Sequence, residues 1–142
     1  MNESVVDIVG EEDVITDVAL LKEIDLQVIT KEEVEFDTVF QLVMTRKGTL
    51  TVNYCMSRLI DFYFDLQGLT TYFDVEFSHC HLPVKFSTGP CSPPTHWKQT
   101  SFHLERNYQL SDEDLVKGIV NMSRSKDSNR SFDFSVGVIV EV

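Results

Sequence analysis

Between residues 132 and 142 every second position is a bulky hydrophobe: Phe132, Phe134, Val136, Val138, Val140 and Val142. The positions alternating with them are Ser131, Asp133, Ser135, Gly137, Ile139 and Glu141, mostly polar. Alternate side chains point to opposite faces only in an extended strand, so this run predicts one buried face and one wetter face. Residues 34–44 repeat the pattern, with Val34, Phe36, Thr38, Phe40, Leu42 and Met44 opposite Glu35, Asp37 and Gln41. Shorter runs over residues 20–30, 69–77, 99–104 and 116–122 read as further strands. Turn signals separate them, at Arg46-Lys47-Gly48, Ser111-Asp112-Glu113-Asp114 and the polar stretch 124–130. Many short strands with such punctuation predict an all-β fold, mainly antiparallel, as a barrel or sandwich. Short helical turns are expected at residues 11–14 and at the capping box Thr30-Lys31-Glu32-Glu33.

Residues 51–67 break this pattern. Val52, Cys55, Met56, Leu59, Ile60 and Tyr63 follow helical spacing, whereas Phe62, Phe64 and Leu66 alternate. A helix over 51–67 and a strand at its end both stand as readings. If exposed, the tip Phe62-Tyr63-Phe64 is an association hazard.

A chain of 142 residues suits one domain over residues 1–142. No apolar run approaches the roughly 18 residues that span a bilayer, so no membrane partner is expected. Met1-Asn2-Glu3-Ser4 has no basic region before an apolar one, so no secretory signal is expected. The three cysteines, Cys55, Cys80 and Cys91, are odd in number and form no CxxC, which points to a reducing compartment, cytoplasmic or nuclear. The net charge of −11 disfavours direct nucleic-acid binding and suits cationic partners such as Arg-rich peptides. An acidic surface that merely keeps a domain soluble carries the same charge.

Chemistry is most concentrated at Pro93-Pro94-Thr95-His96-Trp97-Lys98-Gln99-Thr100, which holds the sole Trp of the chain. Two prolines fix the approach, and a strand follows. A loop on a sheet scaffold thus presents an imidazole beside an indole. A packing role for the Trp and a surface role for the His are the plainer alternatives. His79-Cys80-His81 invites a metal reading, but in a strand the two His share a face while Cys80 points away, and Cys91 is the only obvious further ligand. No metal site is assigned. The six glycines are scattered and form no GxGxxG turn, so no cofactor-binding residue is assigned either.

Thr95-His96-Trp97 followed by Lys98-Gln99-Thr100 resembles the threonine–histidine–tryptophan loop of the protein arginine N-methyltransferases. Tyr72-Phe73-Asp74-Val75-Glu76-Phe77, Phe86-Ser87-Thr88-Gly89-Pro90 and Asn129-Arg130-Ser131-Phe132-Asp133-Phe134 are similar, in the same order, to other motifs of that family. The resemblance covers residues 4–50 and 69–138; the segment at 51–68 interrupts it, and joining Leu50 to Leu69 restores the expected strand pair. It implies a C-terminal β-barrel that forms one wall of a substrate groove. His96 would then pair with an acidic residue of the catalytic domain, in a proton-holding role. Trp97 would shape the pocket for the target arginine, and Thr95 would orient the loop through its hydroxyl. S-adenosylmethionine belongs to the complete enzyme, on a separate α/β domain that also carries the family's paired glutamates. Glu32-Glu33 reads as a solvated turn. The implied partners are a methyltransferase catalytic domain or full-length relative and Arg-rich protein substrates. This chain alone is expected to be inactive. The alternative is a non-catalytic binding or regulatory module.

Overall fold

A computed structural model describes residues 4–45, 64–110 and 114–141. Among them the chain is all-β: every ladder is antiparallel, and the one helical element is a short 3-10 turn at Glu11–Asp13. The strands fall into two compact units, Met1–Ile15 with Thr45–Ser111 and Thr16–Met44 with Asp112–Val142. No sheet closes on itself among the described residues.

The first unit holds β1 (Ser4–Asp7), β3 (Phe64–Thr71), β4 (Asp74–Phe77), β5 (Val84–Ser87) and β6 (Gln99–Leu110). β6 lies between β1 and β3, and β4 pairs with β5 as a hairpin. Leu69, Phe102 and Leu110 are its buried hydrophobes. The expectation of one strand over residues 69–77 needs correction, because the strand breaks at Tyr72-Phe73. Thr88 takes over the backbone of Phe73 there. The Thr88 amide and hydroxyl donate to the Phe73 carbonyl at 3.0 and 2.8 Å, and the Phe73 amide donates to Thr88 Oγ1 at 3.1 Å. These bonds draw the chain away from β6 and into the β4–β5 hairpin. Residues 64–67 belong to β3, so the end of the atypical segment is strand; its remainder, residues 51–63, lies outside the described residues.

The second unit holds β2 (Phe36–Val43), β7 (Leu115–Arg124) and β8 (Phe132–Glu141), with β7 central. Burial follows the alternation. Phe40, Met44, Val116 and Val120 are buried, while Val39, Ile119 and Ile139 of the other face are exposed. A turn closed by the Ser125 amide on the Ser131 carbonyl joins β7 to β8, where the polar stretch predicted it. Residues 20–30, expected as a strand, form none. The Asp25 carboxylate accepts from the Gln27 amide at 2.9 Å, and its carbonyl accepts from Val28 and Ile29. Such local bonds offer the backbone a turn in place of a ladder. Leu20, Leu26 and Val28 are left exposed. The capping box is half realised: Glu33 accepts the Thr30 amide at 2.7 Å, beside a turn rather than a helix.

Glu35 ties the start of this sheet to the end of β7, accepting from Arg124 Nε at 2.8 Å and from the Arg124 amide at 3.1 Å. The Arg124 side chain, then its amide, holds the Glu35 carboxyl below its ordinary value. A folded value below the unfolded one gives stability that is present above the unfolded value and lost as pH falls through the folded one. Glu35 is therefore expected to titrate below the ordinary glutamate midpoint by side-chain NMR, and Glu35→Gln to flatten the acid limb of the unit's stability profile. The pair is well exposed, so the effect is small. A midpoint above the ordinary value would contradict the contact.

Candidate functional site

Trp97 anchors the site on the first unit. Register pairs Val75 with Phe86 and Phe77 with Val84 across the β4–β5 hairpin, putting these four on one face. The indole packs on that face. Phe86 stacks beneath it at 5.8 Å between ring centroids and 20° between planes, and Phe73 meets it edge-on at 5.8 Å and 75°. Aromatic pairs at such distances hold one another's orientation, each by about 0.5–1.5 kcal/mol beyond area burial. Trp97 nonetheless stays 55% exposed. One flank of the ring is backed by protein, and the rest is open.

His96 is exposed and lies edge-on to the indole at 6.0 Å. The loop is closed by its backbone: the Lys98 amide donates to the Thr95 carbonyl at 3.2 Å, and Lys98 takes φ 57°. That left-handed conformation is uncommon for a side chain other than Gly, Asn or Asp. It turns the chain sharply after Trp97 and into β6. The Thr95 hydroxyl, expected to orient the loop, is buried with no hydrogen-bond partner among the described residues. The carbonyl of Thr95, not its hydroxyl, carries the turn.

Gln99 fixes the other end. It is 3% exposed; its Nε2 donates to the Thr88 carbonyl at 2.6 Å and its Oε1 accepts from the Val9 amide at 2.8 Å. One buried amide thus joins the tail of β1, the loop after β5 and the first residue of β6, the strand that follows Trp97. Tyr72 packs against Gly89, where a Cβ would stand 2.6 Å from its ring. Burial, then the neighbouring Asp74 and Cys91, raises the Tyr72 phenol above its ordinary value, so it stays neutral.

Thr95, His96 and Trp97 are brought together as the sequence places them. His79, Cys80 and His81 instead fall in the turn between β4 and β5, so the strand geometry assumed for them does not arise. Among the described residues no group of three or more His, Cys, Asp or Glu is placed to hold a metal. Cys80 and Cys91 are exposed thiols, and Cys55 lies outside the described residues. Phe73, Phe86, Thr88 and Gln99 went unassigned as site residues. The signal for the two Phe was present, since the alternation placed Phe73 with Val75 and Phe77, and a hairpin brings Phe86 opposite Val75. Gln99 gave none, because a polar residue opening a strand is ordinarily exposed.

The sequence matches a family model described as the arginine methyltransferase oligomerization subdomain, over residues 1–139. It is 33% identical over 135 residues to protein arginine N-methyltransferase 8-B of Danio rerio, covering 95% of this chain and 28% of that protein. Protein arginine N-methyltransferase 1 of Caenorhabditis elegans is 34% identical over 136 residues, covering 96% of this chain and 34% of the relative. Among solved structures, the Trypanosoma brucei PRMT1 enzyme–prozyme heterotetrameric complex with AdoHcy superposes at a TM-score of 0.82 and 24% identity, over 98% of this chain and 39% of that one. At that identity the likeness speaks for the fold alone. The chain spans about a third of the length of the curated relatives it matches, 28 to 35%.

Proposed function

The chain belongs to the arginine methyltransferase family, by its match to the oligomerization subdomain over residues 1–139, and from that premise we propose that it is the substrate-groove domain of a protein arginine N-methyltransferase. That near-complete match supports reading residues 1–142 as one such domain. The supporting observation is Trp97: an indole braced by Phe73 and Phe86, left open on its outer side, in a chain of net charge −11. An aromatic face attracts a guanidinium by about 0.5–2 kcal/mol, and an acidic chain draws in cationic peptides. In this reading Trp97 lines the pocket for the target arginine, Thr95 sets the loop, and His96 pairs with a carboxylate of the catalytic domain. A His so paired can hold or pass a proton.

S-adenosylmethionine is the methyl donor the family implies. The described residues do not fit it. They contain only antiparallel strands and one 3-10 turn, without the glycine-rich strand–helix turn that lets backbone approach such a nucleotide. The donor's site belongs to another domain in this reading. The chain alone is expected to transfer no methyl group to an Arg-Gly-rich peptide when supplied with radiolabelled S-adenosylmethionine. Label incorporated by the purified chain would overturn this.

The same chain offers its own probe of arginine recognition, because Trp97 is the sole Trp. Titration with an Arg-Gly-rich peptide is expected to change its fluorescence, with a weaker response to the Lys-for-Arg version. A flat titration would sink the pocket role.

A second reading is a non-catalytic module that docks on a full-length methyltransferase. The family description as an oligomerization subdomain favours it. Co-purification with a full-length relative, without peptide binding by the chain itself, would select it. Exposed Cys80 and Cys91 support a reducing compartment, cytoplasmic or nuclear, in either case. No helix among the described residues is long and apolar enough to cross a membrane.

A further inference from the structure

One short stretch of the second unit runs against the charge of the chain and takes no part in that reading. Residues 124–130, from the last residue of β7 through the turn to β8, hold Arg124, Lys126 and Arg130 against a single acid, Asp127. Three positive charges against one negative leave a net +2 within a chain of −11. Turn chemistry accounts for the Ser, Asp and Asn residues here, but it does not call for the cations. Their spacing is regular. Arg124, Lys126, Ser128 and Arg130 stand two residues apart, so in extended backbone they share one face. Asp127 and the serines at 123, 125 and 131 fall on the other face. One hydroxyl thus stands in a row of cations, two before it and one after.

The structure leaves that hydroxyl available. Ser128 is partly exposed, and Lys126 and Arg130 are exposed with no ion pair among the described residues. Ser128 Oγ accepts from the Arg130 amide at 3.3 Å and donates to nothing among the described residues, so its proton is not engaged. The turn also extends at little cost. The Asp127 amide reaches Ser125 Oγ at 3.3 Å and the Ser131 amide reaches the Ser128 carbonyl at 3.4 Å, both long for N–H donors, whose usual range is about 2.7–3.2 Å. The bond from the Ser125 amide to the Ser131 carbonyl, at 2.9 Å, is what closes it. Glu35 holds Arg124, but that pair is well exposed and is exchanged easily for another carboxylate.

We propose that Ser128 is a phosphorylation site for an ATP-dependent serine kinase whose substrate groove is acidic. Carboxylates in such a groove pair with Arg and Lys at fixed spacing, and the row through Ser128 supplies that spacing. In the transfer, Ser128 Oγ forms a bond to the γ-phosphorus of ATP. The bond from that phosphorus to the β,γ-bridging oxygen breaks, ADP leaves with the electron pair, and the serine proton passes to a carboxylate of the kinase. The phosphate adds a charge of about −1.5 to −2, which brings the cationic stretch close to neutral.

The test incubates the 142-residue chain with ATP labelled at the γ-phosphorus and the catalytic domain of a kinase that selects basic residues on both sides of its acceptor. Mass spectrometry locates the label. The expected result is one phosphate per chain, on Ser128, lost in Ser128→Ala and kept in Ser128→Thr, which retains a hydroxyl. Lys126→Ala and Arg130→Ala should each slow labelling at least about tenfold, the loss of one charged hydrogen bond to the kinase. Both side chains are exposed, so these variants should melt as the wild type does. No incorporation, or label on another residue in place of Ser128, would overturn the proposal. So would label on Ser128 at a rate that neither cation variant lowers, because the row of charges would then recognise nothing.

Discussion

Trp97→Ala is expected to weaken binding of an Arg-Gly-rich peptide by about 2- to 30-fold, the equivalent of losing one cation–π contact of about 0.5–2 kcal/mol. The range is set by water. A half-exposed indole gives the lower figure, and an indole closed over by the bound peptide gives the upper one. The variant also removes the ring that Phe86 stacks on and Phe73 meets edge-on. Some local loosening of the β4–β5 hairpin is therefore expected. The β1–β6–β3 sheet should survive, because its ladders and the Gln99 bonds to Val9 and Thr88 are made without the indole. Trp97→Phe separates the two effects. It keeps an aromatic face on Phe86 and should bind between the wild type and the Ala variant. Calorimetric titration with the Arg peptide and its Lys counterpart measures both. Equal affinity for wild type and Trp97→Ala would remove arginine recognition from this loop and leave the docking reading.

How this site was readable, and where it was not, follows from the range of the forces involved. Alternation is local, and it identified the faces of β2 and β8 correctly, with Phe40 buried and Val39 and Ile139 outward. The Thr95-His96-Trp97 loop was visible as a cluster of rare residue types between prolines and a strand. Residues 20–30 alternate just as well and form no strand. Their backbone is taken by Asp25, a bond over two to four residues that competes with a ladder requiring a distant partner. The break at Phe73 was hidden for the opposite reason, since Thr88 is fifteen positions away. The same holds for Gln99, which reaches ninety positions back to Val9. Composition can name the exposed Trp; it cannot name the buried amide that holds the next strand in place.

Gly118→Val is expected to cost the β2–β7–β8 unit about 3 kcal/mol or more, the upper range for overpacking, out of the roughly 5–15 kcal/mol that holds an ordinary domain together. Gly118 lies mid-way along the central strand, paired with Phe40 on one side and Val138 on the other. A Cβ there would strike the Gly137 carbonyl oxygen and stand 2.5 Å from the Phe40 ring. The ring can turn only within a packed site, Phe40 being 8% exposed, and the carbonyl cannot move without disturbing the β7–β8 ladder. Gly118→Ala should already destabilise, and the β-branched Val adds two methyl groups to the same overlap. Gly137 is the control. It is also a strand glycine, but a Cβ there has only ordinary room to find beside Ile119, and Ala relieves the entropic cost of glycine in a strand. Gly137→Ala should therefore melt within about 0.5 kcal/mol of wild type, as surface changes usually do, while Gly118→Val unfolds at markedly lower urea. Matching urea midpoints for the two variants would mean that β7 and β8 do not pair in this register. The outer rows through Ile119, Gly137 and Ile139 would fall with it.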